Sequence, residues 1–189
     1  DKEYYGMVTF LLSASSIMMP LMAFGVHSTL IRFYSRYTDV AEREKFMTFM
    51  LFMPLLLIIP ITLITYFFYD QIAFLILEKN PETKPFLWLI PIIGICMGYF
   101  EVYYAWVKVH MKSVIGNFIS EVLVRVVIML MLFAVYWNWI SEDQFIYGLA
   151  VAYFLQVFVM KIYAMSVKMP VLSLKIPANV KEIFGYSFF

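Results

Sequence analysis

Charge is scarce in this chain, and cysteine scarcer still. Asp, Glu, Lys and Arg together make up 14% of its residues and leave a net charge of +1. A nucleic-acid partner is excluded on that ground, because it requires a basic footprint. The single cysteine, Cys96, excludes an intrachain disulfide framework; within an apolar stretch it reads as a small hydrophobe. Catalytic signatures are missing too. There is no Gly-rich phosphate loop, no His-Glu-x-x-His and no nucleophile elbow, which argues against an ATPase or any soluble-type enzyme. No cofactor is implied. Neither His27 nor His110 has metal-ligand company at a recognised spacing, and both read as interfacial histidines.

What the chain has instead is apolar length. Hydrophobic residues reach 63%, against roughly 45–50% in soluble domains. They fall in five charge-poor stretches: Tyr4–Leu30, Phe46–Tyr69, Phe86–Val107, Ser113–Trp137 and Gln144–Met160, the last extended to Ser166 as a span. Crossing ~30 Å of hydrocarbon takes roughly 20 apolar residues in a helix. The fold class is therefore all-α, a polytopic transmembrane bundle of about five spans over residues 1–166, followed by a connector over 167–189. Fourteen methionines spread over the spans suggest adaptable packing. Pro20, Pro54, Pro60 and Pro91 fall inside stretches and are candidate bends.

Basic residues set the orientation. Arg32, Arg36, Arg43 and Lys45, then Lys108 and Lys112, then Lys161, Lys168, Lys175 and Lys181 fall on one side. The other side holds Lys2, Lys79 and Lys84. The positive-inside rule makes the first set cytoplasmic. Residues 70–85 then form an external loop whose segment Ile72–Leu77, too short to cross, suits the interface. Residues 138–143 form a tight external hairpin. Tyr103, Tyr104, Trp106, Trp137 and Trp139 fit aromatic belts. The chain enters a span directly after Asp1-Lys2-Glu3 and closes on Phe184–Phe189, which reads as another span opening, with Asn179 and Glu182 as its N-cap pair. A fragment of a longer protein, with at least one earlier span, is the expectation.

Three charged residues lie within the five apolar stretches: Glu101, Glu121 and Arg125. Such groups are costly in lipid and mark cavities or partners. Glu121 and Arg125, at i,i+4 with the acid first, share a helix face as an ion pair. Arg125 stands ~18 Å along its helix from Ser113, near the midplane. Lys108 and Lys112 follow Glu101 at seven and eleven residues, near the same face. Together they read as a cationic vestibule. The plainer alternative is a structural Glu121–Arg125 pair beside two topological lysines.

The run Gly6, Met19-Pro20-Leu21 and Phe24-Gly25-Val26-His27-Ser28-Thr29-Leu30-Ile31-Arg32-Phe33-Tyr34 resembles bacterial polysaccharide (O-antigen type) flippases. These belong to the multidrug/oligosaccharidyl-lipid/polysaccharide exporter superfamily. The likeness extends to the basic loops, the Pro-containing connector and the closing Ile183-Phe184-Gly185-Tyr186-Ser187. It implies helices two to six of a two-lobed transporter of twelve to fourteen helices in the bacterial cytoplasmic membrane. The implied cargo is an undecaprenyl-pyrophosphate-linked oligosaccharide, with other polysaccharide-assembly membrane proteins as possible partners. Arg125 is then the leading pyrophosphate ligand, since Arg is a good bidentate phosphate partner. Arg32 at the cytoplasmic gate comes second, unless it is a plain topology charge; Lys108 and Lys112 assist. Glu101 or Glu121 would couple protons or sodium. A drug/cation antiporter of the same superfamily is the alternative, and it would want an unpaired carboxylate. A membrane glycosyltransferase or polymerase fits less well with such short external loops, and a non-transporting scaffold less well with buried charge.

Overall fold

A computed structural model of the chain describes residues 2–77, 81–171, 177 and 179–187. Side chains 2–3, 75–77 and 82 also lie outside the description, as do Lys79 and Lys175 of the basic count. Helix accounts for 85% of the structure, and no strand occurs among the described residues. Five helical segments are long and apolar enough to cross a membrane: Tyr4–Ala23, Val40–Phe67, Thr83–Val109, Ser113–Tyr136 and Glu142–Val167. The chain is an all-helical membrane protein.

The first span is shorter than its apolar stretch. Helix α1 (Lys2–Ala23) stops where Phe24 and Gly25 turn left-handed, at φ 50° and 59°. Two such residues in succession end any right-handed helix. Helix α2 (Val26–Tyr34) then leaves in a new direction, burying Val26, Thr29, Leu30 and Phe33. Its apolar stripe lies on the protein while Arg32 and Arg36 stay exposed, which is amphipathic patterning.

The second span starts earlier than the apolar stretch. Asp39 caps α3 (Val40–Phe52) by accepting from the Ala41 N–H. The charged run Glu42–Lys45 is therefore the opening of this helix rather than loop. The helix is interrupted at Met53-Pro54 and continues as α4 (Leu55–Phe67). Pro54 supplies no N–H to the helix, and its own carbonyl accepts from Ile58. Pro91, by contrast, sits in the first turn of α6 (Leu89–Val109), where its lost N–H had no partner to lose. Residues expected as an external loop are ordered into α5 (Tyr69–Leu77) and a 3₁₀ turn, Pro81–Phe86. The fourth span is α7 (Ser113–Phe118), a π turn (Ile119–Leu123) and α8 (Val124–Tyr136). The fifth, α9 (Glu142–Val167), opens on a capping box between Ser141 and Gln144.

Helix α6 is the axis of the bundle; α1, α2 and α9 all pack on it. Small residues allow this. Gly94 and Gly98 lie four apart, and a Cβ on Gly98 would stand 3.0 Å from Met22 Cβ and 3.1 Å from the Ala23 N. Lipid gives no hydrophobic drive between helices, so close backbone approach of this Gly-x-x-x-Gly kind supplies the packing. The buried Ser15 hydroxyl joins the seam, 2.8 Å from the Leu11 carbonyl and 3.1 Å from that of Ile90.

Trp106 belongs to this core and not to an aromatic belt. It is 1% exposed, and its indole N–H donates to the Lys168 carbonyl at 3.2 Å. That bond fixes the segment after α9 beneath α3, where Thr48 donates to the Val171 carbonyl and Lys168 pairs with Glu44 at 2.9 Å. Trp137 and Trp139 stay exposed, as belt residues do. The final helix, α10 (Val180–Ser187), lies on α2. Thr29 and Ser187 hydroxyls meet at 2.7 Å, Arg36 pairs with Glu182 at 2.5 Å, and Tyr37 donates to the Asn179 side chain. Burial pushes the Tyr37 phenol above its ordinary value, so it remains a donor. Asn179 thus spends its side chain on Tyr37, while its carbonyl accepts from Ile183 in the first turn of α10.

Candidate functional site

The structure gathers sequence candidates about one side chain, Tyr104: Glu101 and Lys108 share its face of α6, and the fourth span, which carries Glu121 and Arg125, crosses it at Gly116. At 100° per residue Met97, Glu101, Tyr104 and Lys108 fall within a sector of ~60° on α6, beside the Gly94–Gly98 face that meets α1. Lys108 lays its ammonium 3.8 Å from the centre of the Tyr104 ring, a cation–π contact. Across from it Gly116 of α7 is closely apposed to the same ring; a Cβ there would lie 2.7 Å from the ring. This brings the fourth span, which carries Glu121 five residues further on, against the α6 face that carries Glu101.

Glu121 and Arg125 form the ion pair that their spacing implies, at 2.8 Å. Both are exposed on this bundle: the side chains of Arg125 and Glu121 are 78% and 64% accessible. One contact to Glu121 leaves most of the guanidinium donors unused. Glu101 is half-buried and, among the described residues, has neither ion-pair nor hydrogen-bond partner. An unmatched acid, Glu101, thus lies inside the third span on the same helix face as Tyr104 and Lys108.

Arg125 also continues into an apolar surface. Ile128, Leu132 and Val135 follow it at three- and four-residue steps on the same face of α8. They line a cleft of about 330 Å³, with Tyr4, Tyr5 and Val8 of α1 on the other wall. Glu142 and Phe145 of α9 complete the cleft, and Arg125 stands one helical turn from it rather than on its wall. Two larger clefts, of about 770 and 710 Å³, lie on the opposite flank of α6 and share Ile92 and Ile95.

Lys112 and Arg32 stand apart from the cluster. Helix α6 ends at Val109, and Met111 turns left-handed at φ 57°. That turn removes Lys112 from the face of Glu101, contrary to the helical extrapolation; its carbonyl accepts from Tyr163. Arg32 lies on α2 with its guanidinium 4.2 Å from the centre of the Tyr186 ring. It holds α10, at the basic end of the bundle.

Sequence reasoning missed Gln156. It is 6% exposed in the middle of α9, and its amide nitrogen lies 3.5 Å from the carbonyls of both Ile119 and Ser120 in the π turn. The signal was present: an amide deep in an apolar span needs a partner. Among the described residues, no three His, Cys, Asp or Glu side chains gather as a metal site requires.

Compared with protein-family models, curated proteins and solved structures, the chain finds no match.

Proposed function

We propose that this chain belongs to a transporter that moves an anionic, lipid-linked oligosaccharide, of the undecaprenyl-pyrophosphate class, across the bacterial cytoplasmic membrane. The observation that carries the reading is Arg125, an exposed charge in the middle of the fourth span, one helical turn before the α8 residues that wall the α1–α8 cleft. An Arg near the middle of a span costs about 2.5–3.5 kcal/mol on insertion scales. Burial does not repay that cost here, since the side chain is exposed. A cargo with a doubly charged head and a long apolar tail matches a cation set one helical turn from a mostly apolar cleft. The Glu121 pair satisfies Arg125 while no cargo is present. A pyrophosphate arriving beside it takes the remaining donors in bidentate fashion. Lys108, held over Tyr104, adds a second positive charge on the same side. Glu101 is the carboxylate free to carry a coupling ion.

That same free carboxylate favours a second reading, a cation-coupled antiporter for small molecules. One experiment separates the two. The full-length protein is reconstituted in proteoliposomes and assayed for flipping of a lipid-linked oligosaccharide. Arg125→Ala is expected to lower flipping about 10-fold or more, the loss of one charge-assisted contact. Arg125→Lys, which keeps the charge without the fork, should fall between. Wild-type rates in both variants would remove Arg125 from the cargo site. Absence of flipping by the parent, together with cation-driven uptake that Glu101→Gln abolishes, would establish the antiporter reading instead.

A further inference from the structure

A π turn is uncommon, and it concentrates at functional positions. Here it spans Ile119–Leu123 and has Glu121 at its centre. Widening one turn by a residue changes the phase of everything beyond it by ~100° relative to an uninterrupted α-helix. The π turn therefore sets where α8 points Arg125 when α7 is fixed. Helix α7 is fixed at both of its ends: Gly116 sits against Tyr104 and Met160, and the Lys112 carbonyl accepts from Tyr163.

A widened turn also disturbs the carbonyl ladder. In lipid, a carbonyl without a close donor must find another one. The Ile119 and Ser120 carbonyls find the buried Gln156 amide, which bridges from α9 to both. Each contact is long, at 3.5 Å, as expected of one amide group shared between two acceptors. No other described side chain donates to these two carbonyls.

We propose that Gln156 is the positioning residue of this site: its amide holds the π register and thereby sets the direction of Glu121 and Arg125 relative to Tyr104. It touches neither cargo nor ion; it acts through the backbone of the fourth span. The inference rests on the transporter reading for its functional meaning but not for its geometry, and the experiment keeps the two apart.

Single spin labels are placed at positions 114, 115, 117 and 118 and at 126–130 in a Cys96→Ala background, in the reconstituted full-length protein. Oxygen accessibility then maps the lipid-facing stripe on either side of the turn. In Gln156→Met, similar in length but without a donor, the phase between the two stripes is expected to shift by about one residue, or ~100°. Gln156→His, which keeps an N–H, should retain the parental phase. Simple loosening of the bundle would broaden both stripes without moving their maxima. An unchanged phase in Gln156→Met overturns the proposal. If that variant does not fold, deletion of Ser120 decides. Removing the extra residue should restore an α register that needs no amide, so Gln156→Met should fold in the deletion background; failure to fold there also overturns it. A phase shift in a protein whose parent flips no oligosaccharide leaves Gln156 in its role and removes only the cargo reading.

Discussion

Replacing Trp106 with alanine is expected to cost about 3 kcal/mol and to lower the melting temperature in detergent by roughly 10 °C. The side chain is essentially inaccessible and sits where α6 meets α2 and α3. Its removal leaves a cavity that the surrounding Phe, Met and Val side chains fill only in part. The figure is taken at the low end of aromatic-to-alanine costs because lipid already meets part of the apolar transfer term. The indole N–H adds a second effect. Trp106→Phe keeps most of the volume and forfeits the bond to the Lys168 carbonyl, a loss of about 1 kcal/mol. The ratio of the two penalties separates packing from tethering. An alanine variant that melts with the parent would show that Trp106 is not the keystone its burial indicates.

Gly25 is the second sensitive point. A side chain there meets two obstacles at once. The left-handed φ of 59° costs an L-residue about 1–2 kcal/mol. A Cβ would also stand 2.5 Å from the backbone carbonyl oxygen of Ser187, which cannot swing aside as a flexible side chain can. Gly25→Val is therefore expected to drive α10 off α2, and Gly25→Ala to do so less completely. The Thr29–Ser187 contact reports the change directly. With cysteines at 29 and 187 in a Cys96→Ala background, the parent should cross-link readily and the Gly25→Val form should lose most of that yield. An undiminished cross-link would mean that α10 docks without the glycine.

The spans were legible because length and apolarity are local properties. Any window of the chain carries them, so five segments emerged in the right places. Their ends depend on features a hydropathy pattern does not register. Tyr4–Leu30 looks continuous, yet the backbone reverses hand at Phe24 and Gly25 and sends His27 and Arg32 along a separate helix. Trp106 and Trp137 look alike as interfacial aromatics; only the helix neighbours put the first in the core. The Glu121–Arg125 pair was legible because both partners lie one turn apart on one helix. The gathering around Tyr104 was not, since it needs Gly116 of α7 to close on Tyr104 of α6. Lys112 shows the reverse failure: a helical count continued past the turn where the helix had stopped.

The central place of α6 also dictates an order of assembly. Helix α1 makes its closest contacts with the third span and few with the second. During synthesis at ~5–20 residues per second, α1 therefore enters the bilayer several seconds before Gly94 and Gly98 exist to receive it. Until then the Ser15 hydroxyl lacks its Ile90 acceptor, and the seam around Met22 lacks Gly98. A photocrosslinker at position 15 of arrested nascent chains would report lipid up to that length and α6 beyond it. The last-made surface of the first helix is thus completed by a ribosome that has already moved two spans on.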